Sequence, residues 1–172
     1  RRQRQMCIRD RIRKDFTFNE EILAPCKEMV ESVDNPIALH VRRTDYVRNQ
    51  ANHNVLTLEY YQAALEQFDP DRNVIVFSDE PAWCHEQDLF NDDRFIISEN
   101  DDNRVDLCLM SLCNDFIIAN SSFSWWGAWL STNKEKKVIA PAQWFGKTGY
   151  TKDHDTKDLI PDDWIKITAG QE

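Results

Sequence analysis

The stretch that decides the fold reads Ile37-Ala38-Leu39-His40-Val41-Arg42-Arg43-Thr44-Asp45-Tyr46. Its first five residues are apolar apart from one histidine, which is typical of a strand that is covered on both faces of a parallel sheet. Two arginines follow directly where this strand ends. A pair of guanidinium groups in that place can bind a pyrophosphate through paired hydrogen bonds. The stretch therefore predicts a buried parallel strand that ends in an anion-binding site.

Short apolar strands alternate with amphipathic helices along the rest of the chain. We predict strands at 37–41, 73–77, 94–97, 116–119 and 137–140, and helices at 19–33, 58–68, 80–90, 103–113 and 123–130. Residues 146–172 are predicted to be irregular, with one short element near Trp164. Short strands that alternate with longer helices indicate βαβ units. The sequence thus predicts an α/β domain with a doubly wound, parallel, five-stranded sheet.

Composition excludes several classes of protein. The chain has 172 residues and a net charge of −9, which argues against nucleic-acid binding because such proteins present a basic face. No apolar run reaches the roughly 18–20 residues of a membrane span, and the basic N-terminus lacks the apolar stretch of a secretory signal. The five cysteines form no CxxC pair. We therefore expect reduced thiols and a cytosol-like compartment.

The first residues differ in composition from the rest. Residues 1–14 hold seven Lys or Arg and one Asp, although the chain as a whole is acidic. We expect residues 1–11 to be a non-native or disordered leader that precedes a domain at 12–172. The alternative is a natural basic start of a helix.

Polar residues follow the predicted strands at the point where each strand ends. Beyond Arg42 and Arg43, these are Ser78-Asp79-Glu80 and Asn120-Ser121-Ser122. Ligands of doubly wound sheets bind outside the carboxyl ends of the strands. Serine and aspartate are also common helix caps, so each of them alone is uninformative. The arginine pair favours a ligand site over simple helix capping, because two arginines are costly to place at a sheet edge without an anion.

Three further positions are candidates for ligand contact. Ser121 and Ser122 precede a predicted helix, whose free N–H groups could bind a phosphate, or else they are plain N-caps. Asp106 can accept two hydrogen bonds from the N1–H and N2–H₂ edge of guanine, or else it is an exposed helix charge. His40 shares the side of the strand that Arg42 occupies, or else it is a buried core histidine.

Two other patterns favour structural roles. The pairs Asp92-Asp93 and Asp101-Asp102 stand in turns before helices, where aspartate is common, so we do not expect a metal there. The tryptophans Trp125, Trp126 and Trp129 are expected to pack a helix against the sheet and not to form a platform for a sugar.

Several blocks of sequence stand out together. They are His40-Val41-Arg42-Arg43-Thr44-Asp45-Tyr46-Val47, Phe77-Ser78-Asp79-Glu80-Pro81, Asp106-Leu107, Asn120-Ser121-Ser122-Phe123-Ser124-Trp125-Trp126-Gly127-Ala128-Trp129-Leu130, Val138-Ile139-Ala140-Pro141 and Gln143-Trp144-Phe145. From about residue 12 to residue 164 the chain resembles the α-1,2-fucosyltransferases of glycosyltransferase family 11. The first block alone is similar to α-1,6- and protein O-fucosyltransferases as well.

The resemblance implies an inverting transfer of L-fucose from GDP-fucose to the 2-hydroxyl of a galactoside or oligosaccharide acceptor. It implies the Rossmann-like, C-terminal half of a two-domain GT-B enzyme, whose N-terminal acceptor-binding half is absent here. No metal and no cofactor are implied, because GDP-fucose is the donor substrate. We expect a bacterial cytoplasmic location, with peripheral association at the inner membrane face.

Residue roles follow from the same resemblance. Arg42 is implied to bind the β-phosphate of GDP, and His40 and Asp106 to lie near the nucleoside, with Asp106 on guanine. The residues implied to hold the pyrophosphate are Ser121, Ser122 and Phe123.

Other roles stay more open. Arg43 and Asp45 are expected to brace the site through an ion pair, and Asp79 is a weaker candidate for a nucleoside contact. Asp45 is also a candidate general base for the acceptor hydroxyl. A base could instead come from the missing half, or be unnecessary. A different function is a GDP-binding module without catalysis, or an inactive fragment, and a third is a glycan-binding protein.

Overall fold

The structure is a computed structural model that describes residues 2–170, apart from the side chains of residues 2–7 and 9. Its α-helices are α1 Arg2–Asp15, α2 Glu20–Ser32, α3 Thr44–Arg48, α4 Leu58–Leu65, α5 Pro81–His85, α6 Asn103–Leu112 and α7 Ser122–Leu130. Its strands are β1 Ile37–Val41, β2 Val74–Ser78, β3 Phe95–Ile97, β4 Asp115–Ile117, β5 Val138–Pro141 and β6 Ile165–Ile167.

The strands form one sheet in the order β3-β2-β1-β4-β5-β6, and every neighbouring pair is parallel. The prediction of a doubly wound α/β fold is confirmed. The chain reverses its direction of travel across the sheet between β1 and β4, which lie side by side. Ligands of such folds bind in the crevice at this switch point.

The predicted number of five strands is wrong, because β6 adds a sixth at the edge. This strand has three residues, Ile-Lys-Ile, and two of them are exposed. A short, partly exposed edge strand carries little apolar signal, so the sequence showed only a short element near Trp164.

Two helices also differ from the prediction. The helix predicted at 80–90 is divided into α5 and a 3₁₀ turn, Asp88–Phe90, because Gln87 between them has an extended backbone. Helix α3 was not predicted, since its five residues are too few to show a helical period. Residues 2–11 belong to helix α1, which differs from the expectation of a disordered leader, whereas the expectation that this leader is non-native stays a prediction.

Apolar residues cover both faces of the sheet. Ala38 belongs to a core that α2, α6 and α7 form on one face. Ile37, Leu39 and Val41 belong to a second core that α4 and α5 form on the other face. Strand β1 is buried along its whole length for this reason. Its polar extension, Arg42 and onward, emerges at the centre of one edge of the domain.

Two of the three tryptophans of α7 pack as expected. Trp125 and Trp129 lie against the first core, and Trp126 stacks on Phe16 with ring centroids 5.1 Å apart. The four cysteines whose side chains are described are free and buried. Within residues 2–170, no helix combines the length and the apolar composition that crossing a membrane requires.

Candidate functional site

A cleft of about 390 Å³ opens at the carboxyl ends of β1 and β2, beside the switch point. The residues that line it are His40, Arg42, Phe77, Ser78, Asp79, Asn103, Asp106 and Phe123. Five of them were predicted as site residues from the sequence. We call this space the main cleft.

Arg42 stands directly after β1, and its guanidinium is held from two sides. Its Nη2 lies 2.8 Å from a carboxylate oxygen of Asp45, and its Nε lies 3.4 Å from one of Asp79. The Cζ atom lies 5.7 Å from the centre of the Tyr46 ring. About a third of the side chain stays exposed, at 32%. The guanidinium is therefore oriented at the cleft wall without any ligand.

Asp79 serves the backbone of the next turn. Its carboxylate accepts hydrogen bonds from the backbone N–H groups of Arg43, at 3.0 Å, and Thr44, at 3.1 Å, and from the hydroxyl of Thr44. It thereby satisfies the free N–H groups at the start of α3. The sequence did not reveal this capping role, and the nucleoside contact of Asp79 stays a prediction.

Arg43 points away from the main cleft and braces its wall. Its Nε lies 3.3 Å from Glu80, and its guanidinium lies 3.9 Å from the centre of the Trp83 ring. The ion pair expected between Arg43 and Asp45 is wrong, because Asp45 pairs with Arg42 instead. Adjacent residues after a strand point to opposite sides, so the two arginines reach different partners.

His40 is a neutral, buried wall of the main cleft. Its side chain is 4% exposed, and its ring lies 5.4 Å from that of Phe123. Burial, with a smaller contribution from the charge of Arg42, lowers the pKa of His40 to about 4, although the charge of Asp79 opposes this. Its Nδ1 atom is buried and has no hydrogen-bond partner among the described residues. A buried polar atom left unpaired needs an explanation, and a role in the site is one of them.

Asp106 is buried in the first turn of α6, so the alternative of an exposed helix charge is wrong. Ser98 Oγ donates to its Oδ1 at 2.7 Å, and Asn100 Nδ2 donates to the same atom at 2.9 Å. Burial raises the pKa of this carboxyl, and the two hydrogen bonds oppose the rise. Both hydrogen bonds orient the carboxylate through Oδ1, and Oδ2 takes part in neither. The role of Asn100 was missed in the sequence.

The start of α7 lies at the same edge. Ser121 is the N-cap, and its Oγ accepts a hydrogen bond from the backbone N–H of Phe123 at 3.3 Å. Ser122 is exposed. Tyr46 links this region to α3, since its hydroxyl donates to the carbonyl of Asn120 at 2.8 Å. Ser121 and Ser122 thus lie beside the main cleft, while only Phe123 of the three lines it.

Asp101-Asp102 stand in the turn before α6, as expected, whereas Asp92-Asp93 precede strand β3 and not a helix. Asp102 accepts a hydrogen bond from the backbone N–H of Arg104 at 2.9 Å, and Asp92 accepts one from that of Arg94 at 3.0 Å. Within the described residues, no group of three His, Cys, Asp or Glu side chains is placed to hold a metal ion.

Comparisons with known proteins place the chain among glycosyltransferases. It is 35% identical over 174 residues to the O-antigen biosynthesis glycosyltransferase WbnK of Escherichia coli, covering 92% of this chain and 55% of that protein. It is 34% identical to an alpha-1,2-colitosyltransferase of Escherichia coli, covering 92% of this chain and 57% of that protein. A galactoside alpha-(1,2)-fucosyltransferase 1 of Bos taurus is 25% identical, over 72% of this chain and 39% of its own length.

Among solved structures, the crystal structure of POFUT1 in complex with GDP matches with a TM-score of 0.49 and 17% identity, over 71% of this chain and 47% of that one. The chain spans just over half the length of the two Escherichia coli relatives. The sequence model described as Glycosyl transferase family 11 matches residues 1–168. The chain belongs to glycosyl transferase family 11.

Proposed function

We propose that the main cleft binds the donor GDP-fucose and that the protein transfers L-fucose to the 2-hydroxyl of a galactoside, with inversion. The observation that supports this best is the meeting of Arg42 and Asp106 on the walls of one cleft. A fixed guanidinium suits a phosphate, and a buried carboxylate suits the N–H edge of guanine. One GDP molecule has both groups.

The residues around the main cleft suit the two ends of GDP, its guanine base and its pyrophosphate. The guanine base would lie against Asp106, whose orientation is set by Ser98 and Asn100. The pyrophosphate would lie between Arg42 and the start of α7, where backbone N–H groups and the helix dipole favour an anion. Phe123 and the neutral ring of His40 would form the apolar wall between the two ends.

The chemistry follows from where charge develops. When the bond between fucose and phosphate breaks, negative charge grows on GDP and positive charge grows on the sugar. A fixed donor aimed at such charge is typically worth about 3–4 kcal/mol. Arg42 is such a donor, and its charge supplies what a metal ion supplies in other transferases. Independence from metal is therefore part of the proposal.

The names of the relatives favour the linkage and open an alternative. Two of them are named for α-1,2 transfer, one to a galactoside and one with colitose as the sugar. A colitosyl donor is thus the second candidate for this chain. A GDP-binding module without catalysis is the third.

Calorimetry with GDP and assays of transfer test the proposal. We expect GDP to bind more tightly than ADP, and GDP-fucose with a galactoside to give an α-1,2-linked product without added metal. Transfer of colitose but not fucose would favour the second candidate. Binding of GDP without any transfer by the full-length gene product would favour the third, and failure to bind GDP would contradict all three.

A further inference from the structure

A second cleft, of about 430 Å³, is lined by residues that the main cleft does not include. The residues that line it are Gln50, His53, Asn54, Val55, Gly146, Lys147 and Thr148. We call it the side cleft. Most of these side chains are polar, which suits a hydroxyl-rich ligand such as a sugar.

Tyr46 connects the side cleft to the donor site. The ring of His53 stacks on the ring of Tyr46, with centroids 4.2 Å apart and planes 11° from parallel. The guanidinium of Arg42 lies against the same ring, at 5.7 Å. A single aromatic side chain therefore joins the imidazole of His53 to the predicted phosphate ligand.

The segment that carries His53 is fixed to the switch point. Asn120, directly after β4, donates hydrogen bonds from Nδ2 to the carbonyls of Asn54 and Trp144, at 2.8 Å each. His53 itself forms an antiparallel bridge with Phe145. The imidazole is thus held in place from two chain segments. Asn120 is 2% exposed, so this attachment lies inside the protein.

The two loops around the side cleft are also joined to each other. The backbone N–H of Gly146 donates to the carbonyl of Asn52 at 2.9 Å, and the hydroxyl of Thr151 donates to the same carbonyl at 2.7 Å. A Cβ atom at Gly146 would collide with the carbonyl of Ala51, so only glycine permits this approach. The walls of the side cleft are therefore built into the fold.

The ring nitrogens of His53 are free for a ligand. The structure gives His53 a ring stack and backbone hydrogen bonds, but no side-chain hydrogen bond within the described residues. Asp45, the base candidate from the sequence, is instead bound to Arg42 at 2.8 Å. One of its oxygens is thus already occupied by a guanidinium, whereas the ring nitrogens of His53 have no side-chain partner among the described residues.

We propose that the side cleft is this domain's part of the acceptor site, completed by the N-terminal half that the resemblance implies, and that His53 is the general base, which rests on the transferase function proposed above. The acceptor hydroxyl oxygen forms a bond to C1 of the sugar, and its proton passes to a ring nitrogen of His53. The bond between C1 and the phosphate oxygen breaks, and its electron pair leaves with GDP. Water then removes the proton from His53.

Three variants of the full-length gene product test the role of His53. His53→Ala removes the base, His53→Phe removes the nitrogens but keeps the stack on Tyr46, and His85→Ala is the control. His85 is exposed and pairs with Glu99 at 2.8 Å, outside both clefts. The measurements are the rate of transfer with the donor that the wild type uses, GDP affinity by calorimetry, and the rate with added imidazole.

We expect His53→Ala and His53→Phe to lower kcat about 10²- to 10⁴-fold, the usual contribution of a general base. GDP affinity should stay within about twofold of the wild type. Added imidazole should raise the transfer rate of His53→Ala at least about tenfold, because the smaller side chain leaves room for it. It should not raise the transfer rate of His53→Phe. His85→Ala should transfer at the wild-type rate.

Two results would overturn the proposal. One is a His53→Ala rate within about threefold of the wild type, and the other is a slow His53→Ala that imidazole does not restore. In both cases the wild type binds GDP and transfers sugar, so the proposed function survives. A wild type that does not bind GDP defeats the proposed function itself, and the role of His53 falls with it.

Discussion

Arg42 and Asp45 form an ion pair of 2.8 Å within one turn of chain, at the edge where β1 ends. Asp79 approaches the same guanidinium from β2 at 3.4 Å. Two carboxylates thus fix the plane of the Arg42 guanidinium. A group fixed in this way loses little conformational entropy on binding, which strengthens its contact with a phosphate.

Replacement of Arg42 tests its role as the phosphate ligand. We expect Arg42→Ala to reduce transfer about 10²- to 10³-fold, in line with the loss of one donor aimed at developing charge. Arg42→Lys should restore little, because an ammonium cannot make the paired hydrogen bonds of a guanidinium. Steady-state rates and calorimetry with GDP provide the measurement.

Arg72→Lys is the matched control for Arg42→Lys. Arg72 pairs with Asp115 at 2.9 Å, at the other end of the strands. Its replacement should leave the affinity for GDP unchanged. Near-wild-type transfer by Arg42→Lys would show that Arg42 does not have the proposed role.

Asp106→Asn tests the recognition of guanine. An asparagine can no longer accept hydrogen bonds from both N1–H and N2–H₂ with charged oxygens, so we expect GDP to bind about 10- to 100-fold more weakly. The preference for GDP over IDP, which lacks the 2-amino group, should shrink as well. Calorimetry with both nucleotides measures this.

Asp102→Asn is the control on the same helix. Asp102 caps α6 through the backbone N–H of Arg104, and asparagine caps a helix about as well as aspartate. This variant should bind GDP like the wild type. Equal losses in the two variants would indicate a general disturbance of α6 and not a contact with guanine.

The sequence predicted β1 at its observed bounds, Ile37–Val41, because five buried residues between Pro36 and two arginines leave little choice. It also predicted the side of the sheet where the site lies, since parallel strands bring their carboxyl ends together. Polar residues after those strands therefore converge, whatever the details of packing.

The sequence did not predict which of those residues form ion pairs with each other. Arg42 is near Asp45 and Asp79 alike, and Arg43 reaches Glu80, 37 residues away. Which carboxylate meets which guanidinium depends on the direction that each side chain takes after the strand. The stack of His53 on Tyr46 was hidden for a similar reason, because the irregular segment between α3 and α4 has no period to read.

Tyr60→Phe tests how the second core supports the switch point. The buried hydroxyl of Tyr60 donates to the carbonyl of Ile118, just after β4, at 2.6 Å. Its removal leaves that carbonyl without this partner, so we expect the free energy of unfolding to fall by about 1–3 kcal/mol. Urea denaturation measures it. Tyr150→Phe is the control, because Tyr150 is 77% exposed, and a loss as large as that of Tyr60→Phe would refute the argument.

The pKa of His40 predicts how stability depends on pH. In the folded protein this pKa is about 4, mainly through burial, whereas an unfolded histidine titrates near 6.5. Between these values the unfolded chain binds a proton that the folded protein does not, so the free energy of unfolding falls as the solution is acidified. This contribution is fully present above about pH 6.5, and about 2 kcal/mol of it is lost between pH 7 and pH 5.

His40→Gln removes this titration, so its pH dependence isolates the contribution of His40. We expect the difference in the free energy of unfolding between wild type and His40→Gln to shift by about 2 kcal/mol from pH 7 to pH 5, in favour of the variant at the lower pH. Urea denaturation at pH 7, 6 and 5 measures the shift. His85→Gln should follow the wild type, since His85 is exposed. A constant difference between wild type and His40→Gln would mean that His40 is not held neutral by the fold.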